Sequence, residues 1–560
     1  MALSFDGCWV KTLSMQTRDG TRLDADVYSP SLNNLKPEGP EQEGTWPVLL
    51  MRQPYGRAIA STVVYAHPSW YAAQGYIVVI QDVRGRGTSE GAFELFANEV
   101  TDGVDTVQWA AQLPHSNGQV GMYGFSYQGM TQLQAAEGCQ RAGVSALKAI
   151  APAMTGYHLY EDWAYENGAL CLQLSQVWAI QLAAETARRE GDIAAYQKLL
   201  AASRHLPLRD EIPAKPDVLS DVSTFFHQWV AQAQAGDYWQ QLTPDLSGVD
   251  MPMLHIGGWF DPYLRGDFRL YQEMAQRSQY AQPLCVGPWA HIPWSHKVGE
   301  VDFGPEAASP IDRLQVQWFN HTLKHQAWTQ PEVQLFEMGR NRWREFEQWP
   351  HSSPKTYFAY SDGLANIRED SGVLVENAAA ANHEATDTGK RTDVLVHDPW
   401  NPAPALGGHS AIPAGCFERT AVDSRGDVLT YTSAPLTEEI RVLGVVKVRG
   451  AIAASAPSYD WCAVLSRVSN GKAYNLTQGY CRVEVTSEET ELPLHPTCFS
   501  LAKGERLRLS LSAACAPAYA VNAGTGAPLV ETRGIDGQII TLAISLGGDK
   551  GISVELPIVR

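Results

Sequence analysis

Gly124-Phe125-Ser126-Tyr127-Gln128-Gly129 places a serine between an apolar run, VGMYG, and a helix-forming stretch, YQGMTQLQAA. A strand that turns straight into a helix exposes the serine hydroxyl. It also aims the helix N-terminus, with the N–H of Tyr127 in front, at whatever the hydroxyl attacks. Two partners follow in the chain. Asp261 comes directly after LHIGGWF and His291 directly after LCVGPWA, both at predicted strand ends. The order Ser, Asp, His and the shared position at strand ends point to nucleophilic acyl chemistry. Ser126 attacks, His291 takes and returns its proton, and Asp261 orients the imidazole. His296 lies beyond Pro293 and reads as a loop residue, and His255 sits inside a strand and reads as core. There is no HExxH and no His/Asp cluster at ligand spacing, so neither a metal nor another cofactor is expected. Gly85-Arg86-Gly87 lacks the spacing of a dinucleotide loop, since the next glycine is Gly91.

The elements around these residues alternate. Residues 48–55, 76–84, 119–126 and 146–153 read as buried strands, and DGVDTVQWAAQLPH and SYQGMTQLQAAEG between them carry helical spacing. Strand–helix repetition predicts a parallel sheet with helices on both faces. From about Gly156 to Gly248 the strand signal stops and Ala-, Leu- and Gln-rich helical sequence takes over, a cap over the active-site end. The sheet resumes at 251–261 and 282–291. After Lys324, short strand-like segments from VQLFEMG and GVLVEN through YCRVEVTS to IITLAISL predict a β-sandwich or jelly roll. The expected organisation is a hydrolase-type α/β core over 1–155 and 249–325, a helical cap over 156–248 and a β domain over 326–560.

Composition narrows the partners. Lys and Arg total 43 against 61 Asp and Glu, a net charge of −18, which disfavours binding to a phosphate backbone. No apolar run is long enough to span a membrane, and no basic, apolar and small-residue leader opens the chain, so a cytoplasmic protein is expected. The nine cysteines form no CxxC pair and predict reduced thiols. A homo-oligomer is left open by the sequence.

With the three residues in place, further segments become legible. They are Arg18-Asp19-Gly20-Thr21, Arg52-Gln53-Pro54-Tyr55-Gly56, Asp82-Val83-Arg84-Gly85-Arg86-Gly87-Thr88-Ser89-Glu90-Gly91, Gly258-Trp259-Phe260-Asp261 and Gly287-Pro288-Trp289-Ala290-His291. Together they resemble the CocE/NonD serine hydrolases, the cocaine esterase and Xaa-Pro dipeptidyl-peptidase family, over nearly the whole chain. The resemblance implies an α/β-hydrolase core, an inserted helical cap and a C-terminal galactose-binding-like jelly roll. It also implies that Tyr55 donates its hydroxyl to the oxyanion beside the Tyr127 N–H. The expected substrate is a small-molecule ester or amide. Trp163, Tyr165, Trp259, Phe260 and Tyr263, near the cap or acid motifs, are expected to line its pocket. Acylase, dipeptidyl-peptidase-like and acyltransferase activities are the alternatives, with a non-catalytic binding protein as the contrasting class. Two departures bear on the substrate. The α-amino acid ester hydrolases of this family hold an ammonium with carboxylates, some just after the acid. Here Pro262, Tyr263, Leu264 and Arg265 stand there, leaving Asp162 and Glu166 in the cap as candidates. The extra N-terminal helical domain of the Xaa-Pro peptidases has no counterpart before the core motifs.

Overall fold

The computed structural model describes residues 3–5, 8–30, 45–58, 62–208, 210–376, 391–484 and 489–559. The N-terminal part builds one mixed sheet. Its first strands are β1 (Leu3–Phe5), β2 (Cys8–Gln16), β3 (Arg22–Pro30), β4 (Trp46–Gln53), β5 (Ile77–Asp82), β6 (Ser116–Phe125) and β7 (Leu147–Ala153). In space they run β1-β2-β3-β5-β4-β6-β7, followed by His255–Phe260, Leu284–Ala290, Val333–Glu337 and Arg342–Phe346. From β5 to Val333–Glu337 all neighbours are parallel; the hairpins at both edges are antiparallel.

The central strands are apolar on both sides because both faces are covered. Val48, Leu50, Ile77, Val79, Val120 and Met122 pack into one core with helices Glu99–Ala111 and Tyr127–Ala142. The alternate residues Leu49, Met51, Val78, Ile80 and Tyr123 pack into a second core with helix Ile311–Lys324. The period of two along each strand therefore sorts side chains between two cores.

The insertion between β7 and His255–Phe260 is mainly helical. Its helices are Leu172–Glu190, Ile193–Arg204, Phe225–Ala231 and Asp237–Leu242. It also holds a π-helical turn, Leu159–Ala164, and a small hairpin, Tyr165–Glu166 with Ala169–Leu170. The sequence reading has no strand here, because two-residue strands are too short to carry a periodic signal.

The C-terminal part is mostly β. One large sheet runs through Ser353–Tyr360, Val428–Ser433, Ser458–Ser469, Lys472–Glu484 and Arg506–Ser512, among others. A three-stranded sheet, Arg391–His397, Ile540–Leu546 and Ile452–Ala454, shares its core. The tails of GVLVEN and YCRVEVTS lie outside the described residues. One segment joins a different sheet from the expected one. Val333–Glu337, read as the start of the β domain, pairs with Leu284–Ala290 and ends the first sheet together with Arg342–Phe346. An alternating apolar segment marks a strand but carries no information on which sheet takes it.

Candidate active site

Ser126 stands between β6 and helix Tyr127–Ala142 at φ 60° and ψ −128°. Positive φ strains a residue with a side chain, and such strain concentrates where an exposed group is needed. The surroundings hold it. Ser126 N donates to Ala153 O at 3.0 Å, and Thr155 Oγ1 donates to Ser126 O at 2.8 Å. Two glycines let the chains approach: a Cβ on Gly124 would meet Gln128 Cβ at 2.5 Å, and one on Gly129 would meet Thr155 Cβ at 2.5 Å. Asp267 in turn accepts Thr155 N–H at 3.0 Å. Burial, and then the nearby Asp261, push the Asp267 carboxyl well above the usual carboxylate range.

Asp261 and His291 cap adjacent parallel strands, His255–Phe260 and Leu284–Ala290. Asp261 is fully buried, and its Oδ2 meets His291 Nδ1 at 2.5 Å, while Oδ1 accepts Tyr263 N–H at 2.8 Å. A carboxylate on Nδ1 fixes the tautomer and leaves Nε2 as the nitrogen free to exchange a proton. The imidazole is about one quarter exposed and lies 5.4 Å, centroid to centroid, from Phe125, the residue before Ser126. His296 instead pairs with Asp302 on the surface at 2.9 Å, and the buried His255 bonds Gln282, in keeping with their loop and core readings.

Tyr55 follows the end of β4, the strand beside β6, and its hydroxyl lies near the Ser126 side chain. Trp178 Nε1, from the cap helix Leu172–Glu190, donates to the same hydroxyl at 3.1 Å. Burial, partly offset by the bonds from Trp178 and Ser126, pushes the Tyr55 phenol up to about 12, so it stays a donor at neutral pH. Tyr127 is the first residue of its helix, so its N–H has no intrahelical acceptor. Its side chain points away and donates to Glu99 Oε1 at 2.7 Å, and Glu99 is paired with the buried Arg52 at 2.6 Å.

Aromatic rings surround this group. Tyr263 meets His291 edge-on at 5.1 Å, Trp163 stacks on Tyr263 at 4.2 Å, and Trp178 follows Trp163 at 5.2 Å. Tyr263 thus lies beside His291, and Trp163 beside Tyr263. The other three expected pocket residues lie elsewhere. Trp259 donates to Phe336 O at 2.7 Å, and Phe260 packs on Phe303; both belong to the core shared with the C-terminal part. Tyr165 stacks on Tyr160 at 4.8 Å inside the cap and donates to Trp229 O. Their nearness in sequence to the motifs is misleading, because strand pleat and hairpin direct them into cores. Trp178 is the residue that sequence reasoning missed. It looks like one more apolar position in a helical run, and only the fold brings it to Tyr55.

Neither cap carboxylate is free. Asp162 accepts the N–H groups of Tyr157 and His158 at 2.9 and 2.7 Å and lies 3.4 Å from Arg269. Glu166 is paired with Arg265 at 2.7 Å. Among the described residues no group of His, Cys, Asp and Glu could hold a metal ion, and no helix is long and apolar enough to cross a membrane. All nine cysteines are free thiols and buried.

Residues 19–293 match the model of the X-Pro dipeptidyl-peptidase (S15) family, and residues 326–543 match the X-Pro dipeptidyl-peptidase C-terminal non-catalytic domain. The chain is 28% identical to the cocaine esterase of Rhodococcus sp. (strain MB1 Bresler), with 97% of each chain covered. Among solved structures, an aminopeptidase from a marine-sediment Thaumarchaeota archaeon has a TM-score of 0.80 at 21% identity, covering 100% of this chain and 98% of that one. An α-amino acid ester hydrolase has a TM-score of 0.78 at 20% identity, with the same coverage. A CocE/NonD family hydrolase from Staphylococcus aureus has a TM-score of 0.67 at 15% identity, covering 99% and 94%. An α/β-hydrolase core followed by a mostly β domain, two family models that together span most of the sequence, and a full-length esterase relative lead to one conclusion: the chain belongs to the CocE/NonD and S15 family of hydrolases and is a serine ester hydrolase.

Proposed function

We propose that the protein cleaves carboxylic esters of small, uncharged acyl groups through an acyl-enzyme on Ser126. What supports this reading is a serine held at positive φ on a strand–helix elbow, an Asp261–His291 contact at the ends of neighbouring strands, and a Tyr55 hydroxyl near the Ser126 side chain. His291 Nε2 takes the proton as Ser126 Oγ adds to the acyl carbon. The negative oxygen of the tetrahedral intermediate is met by Tyr55 O–H and Tyr127 N–H. His291 then protonates the departing alkoxide, the ester C–O bond breaks, and the acyl group remains on Ser126. Water, activated by the same imidazole, adds next and releases the acid. Trp163, Tyr263 and Trp178 supply apolar walls for the acyl group. The two carboxylates considered for a substrate ammonium are engaged within the protein: Asp162 accepts the Tyr157 and His158 N–H groups, and Glu166 is paired with Arg265. Neutral acyl esters are therefore favoured over aminoacyl esters and dipeptides. The test compares neutral acyl and aminoacyl p-nitrophenyl esters with wild type and Ser126→Ala. Turnover of the neutral esters that vanishes in Ser126→Ala supports the reading; equal turnover by both proteins overturns it.

A further inference from the structure

Behind the catalytic acid lies a buried polar cluster that the reaction does not use. Glu166, on the cap hairpin, is 1% exposed. Its Oε2 receives Arg265 Nη1 at 2.7 Å, His409 Nε2 at 2.9 Å and Tyr519 O–H at 2.5 Å, and its Oε1 receives Tyr480 N–H at 3.3 Å. A carboxylate only accepts, so His409 carries its proton on Nε2. Three of the four donors come from the C-terminal β domain. The fourth, Arg265, stands four residues after Asp261 and also donates to Pro262 O, the residue next to Asp261, at 3.5 Å. A second link runs beside it. His495 stacks face to face on His409, 4.0 Å apart and 9° from parallel. Burial, then the neighbouring His409 and Arg265, hold the His495 imidazole well below its ordinary range, only partly offset by the Asp261 backbone that it faces.

We infer that the C-terminal β domain positions the catalytic acid, with His409, Tyr519 and Glu166 forming a buried bolt that fixes the Asp261–Arg265 turn. The inference rests on the reading of Asp261 as the acid of the site. The physical case has three parts. First, Glu166 is a charged carboxylate: burial pushes it up, but Arg265, His409 and Tyr519 outweigh burial and hold it at about 2. Second, buried charge with all its donors in place specifies geometry more than it adds stability, since apolar packing of the same volume often serves stability as well. Third, the geometry it specifies is that of the turn carrying both Asp261 and Tyr263, which each contact the His291 ring. An Asp–His contact of 2.5 Å has little tolerance for drift of that turn. His409, Tyr519 and Glu166 are positioning residues in this account, since none touches Ser126 or His291 among the contacts described.

Tyr519→Phe removes one hydroxyl from the bolt and keeps the ring that stacks on Tyr480 at 4.0 Å. The experiment measures kcat and KM on a neutral acyl ester, the second-order rate of fluorophosphonate labelling, and the melting temperature, all normalised to titrated active sites. Expected is a loss of about tenfold in kcat and in labelling rate, the scale of a sub-ångström misplacement, with KM within twofold of wild type. His409→Gln, which keeps a donor, carries the same readout if Tyr519→Phe does not fold, with a smaller loss expected. A variant with a lowered melting temperature but kcat and labelling rate within twofold of wild type overturns the inference and makes the cluster structural only. Wild-type labelling that is lost in Ser126→Ala is measured alongside, so a failure of the bolt is told apart from a failure of the site itself.

Discussion

Replacing Tyr55 by Phe deletes one oxygen from the site and leaves the ring in place. In the structure that oxygen has two neighbours: Trp178 Nε1, which donates to it at 3.1 Å, and the Ser126 side chain. Because the phenol is held at about 12, it is an O–H donor throughout neutral and mildly alkaline pH, and its loss removes a donor rather than a charge. A donor that meets the oxyanion better than the ground-state carbonyl acts on the barrier and not on substrate binding. Loss of one such donor costs about 3–4 kcal/mol, which at 1.36 kcal/mol per factor of ten is ~10²–10³ in kcat with KM nearly unchanged. The assay is single-turnover acylation of Tyr55→Phe with a p-nitrophenyl ester, under conditions where acylation limits the rate. Trp178→Phe gives an internal check. It removes a neutral hydrogen bond to the hydroxyl, worth about 1 kcal/mol, and should slow acylation by roughly fivefold. A Tyr55→Phe enzyme within threefold of wild type would refute the reasoning and assign Tyr55 to packing.

Three further outcomes follow from the same geometry. His291→Ala should abolish burst-phase acylation, whereas His296→Ala, which breaks only a surface contact with Asp302, should retain most of it; stopped-flow burst amplitudes decide between the two. Glu166 has a folded value of about 2 against an ordinary 4.5, so its contribution is complete above the unfolded value and fades as pH falls through the folded one. The gap is worth ~3 kcal/mol, and denaturant midpoints of wild type should drop between about pH 4.5 and 2 by more than those of Glu166→Gln. Trp259→Phe should lower the melting temperature through loss of its bond to Phe336 O yet leave KM unchanged, while Tyr263→Ala should raise KM and reshape acyl preference, read from a panel of ester chain lengths.

The strand-end positions of Ser126, Asp261 and His291 were more legible in the sequence than the surroundings of the expected pocket residues were. Ser126, Asp261 and His291 each follow a buried strand, and period and strand ends can be read one segment at a time. Tyr55 stood out only through the resemblance carried by Arg52-Gln53-Pro54-Tyr55, because nothing local separates it from a core tyrosine. Pocket walls depend on which way a side chain points after the chain has folded. Trp259 precedes Asp261 by two residues and is directed into the core behind it, whereas Trp178, more than eighty residues from Asp261, reaches the site from the cap. The bolt around Glu166 was still less visible, for its donors are separated from it by up to 353 positions. Long-range pairing of this kind leaves no periodic trace in a single sequence.

The central claim is that acyl transfer passes through Ser126, and the most direct measurement is the mass of the protein caught in turnover. Wild type is mixed with a slowly deacylating ester, quenched in acid within the burst phase, and its intact and peptide masses are determined. The account predicts an increase equal to one acyl group, located on the peptide that contains Gly124-Phe125-Ser126-Tyr127, and no increase in Ser126→Ala. An acyl group on a different residue, or full turnover of the ester with no covalent species in wild type, would contradict it.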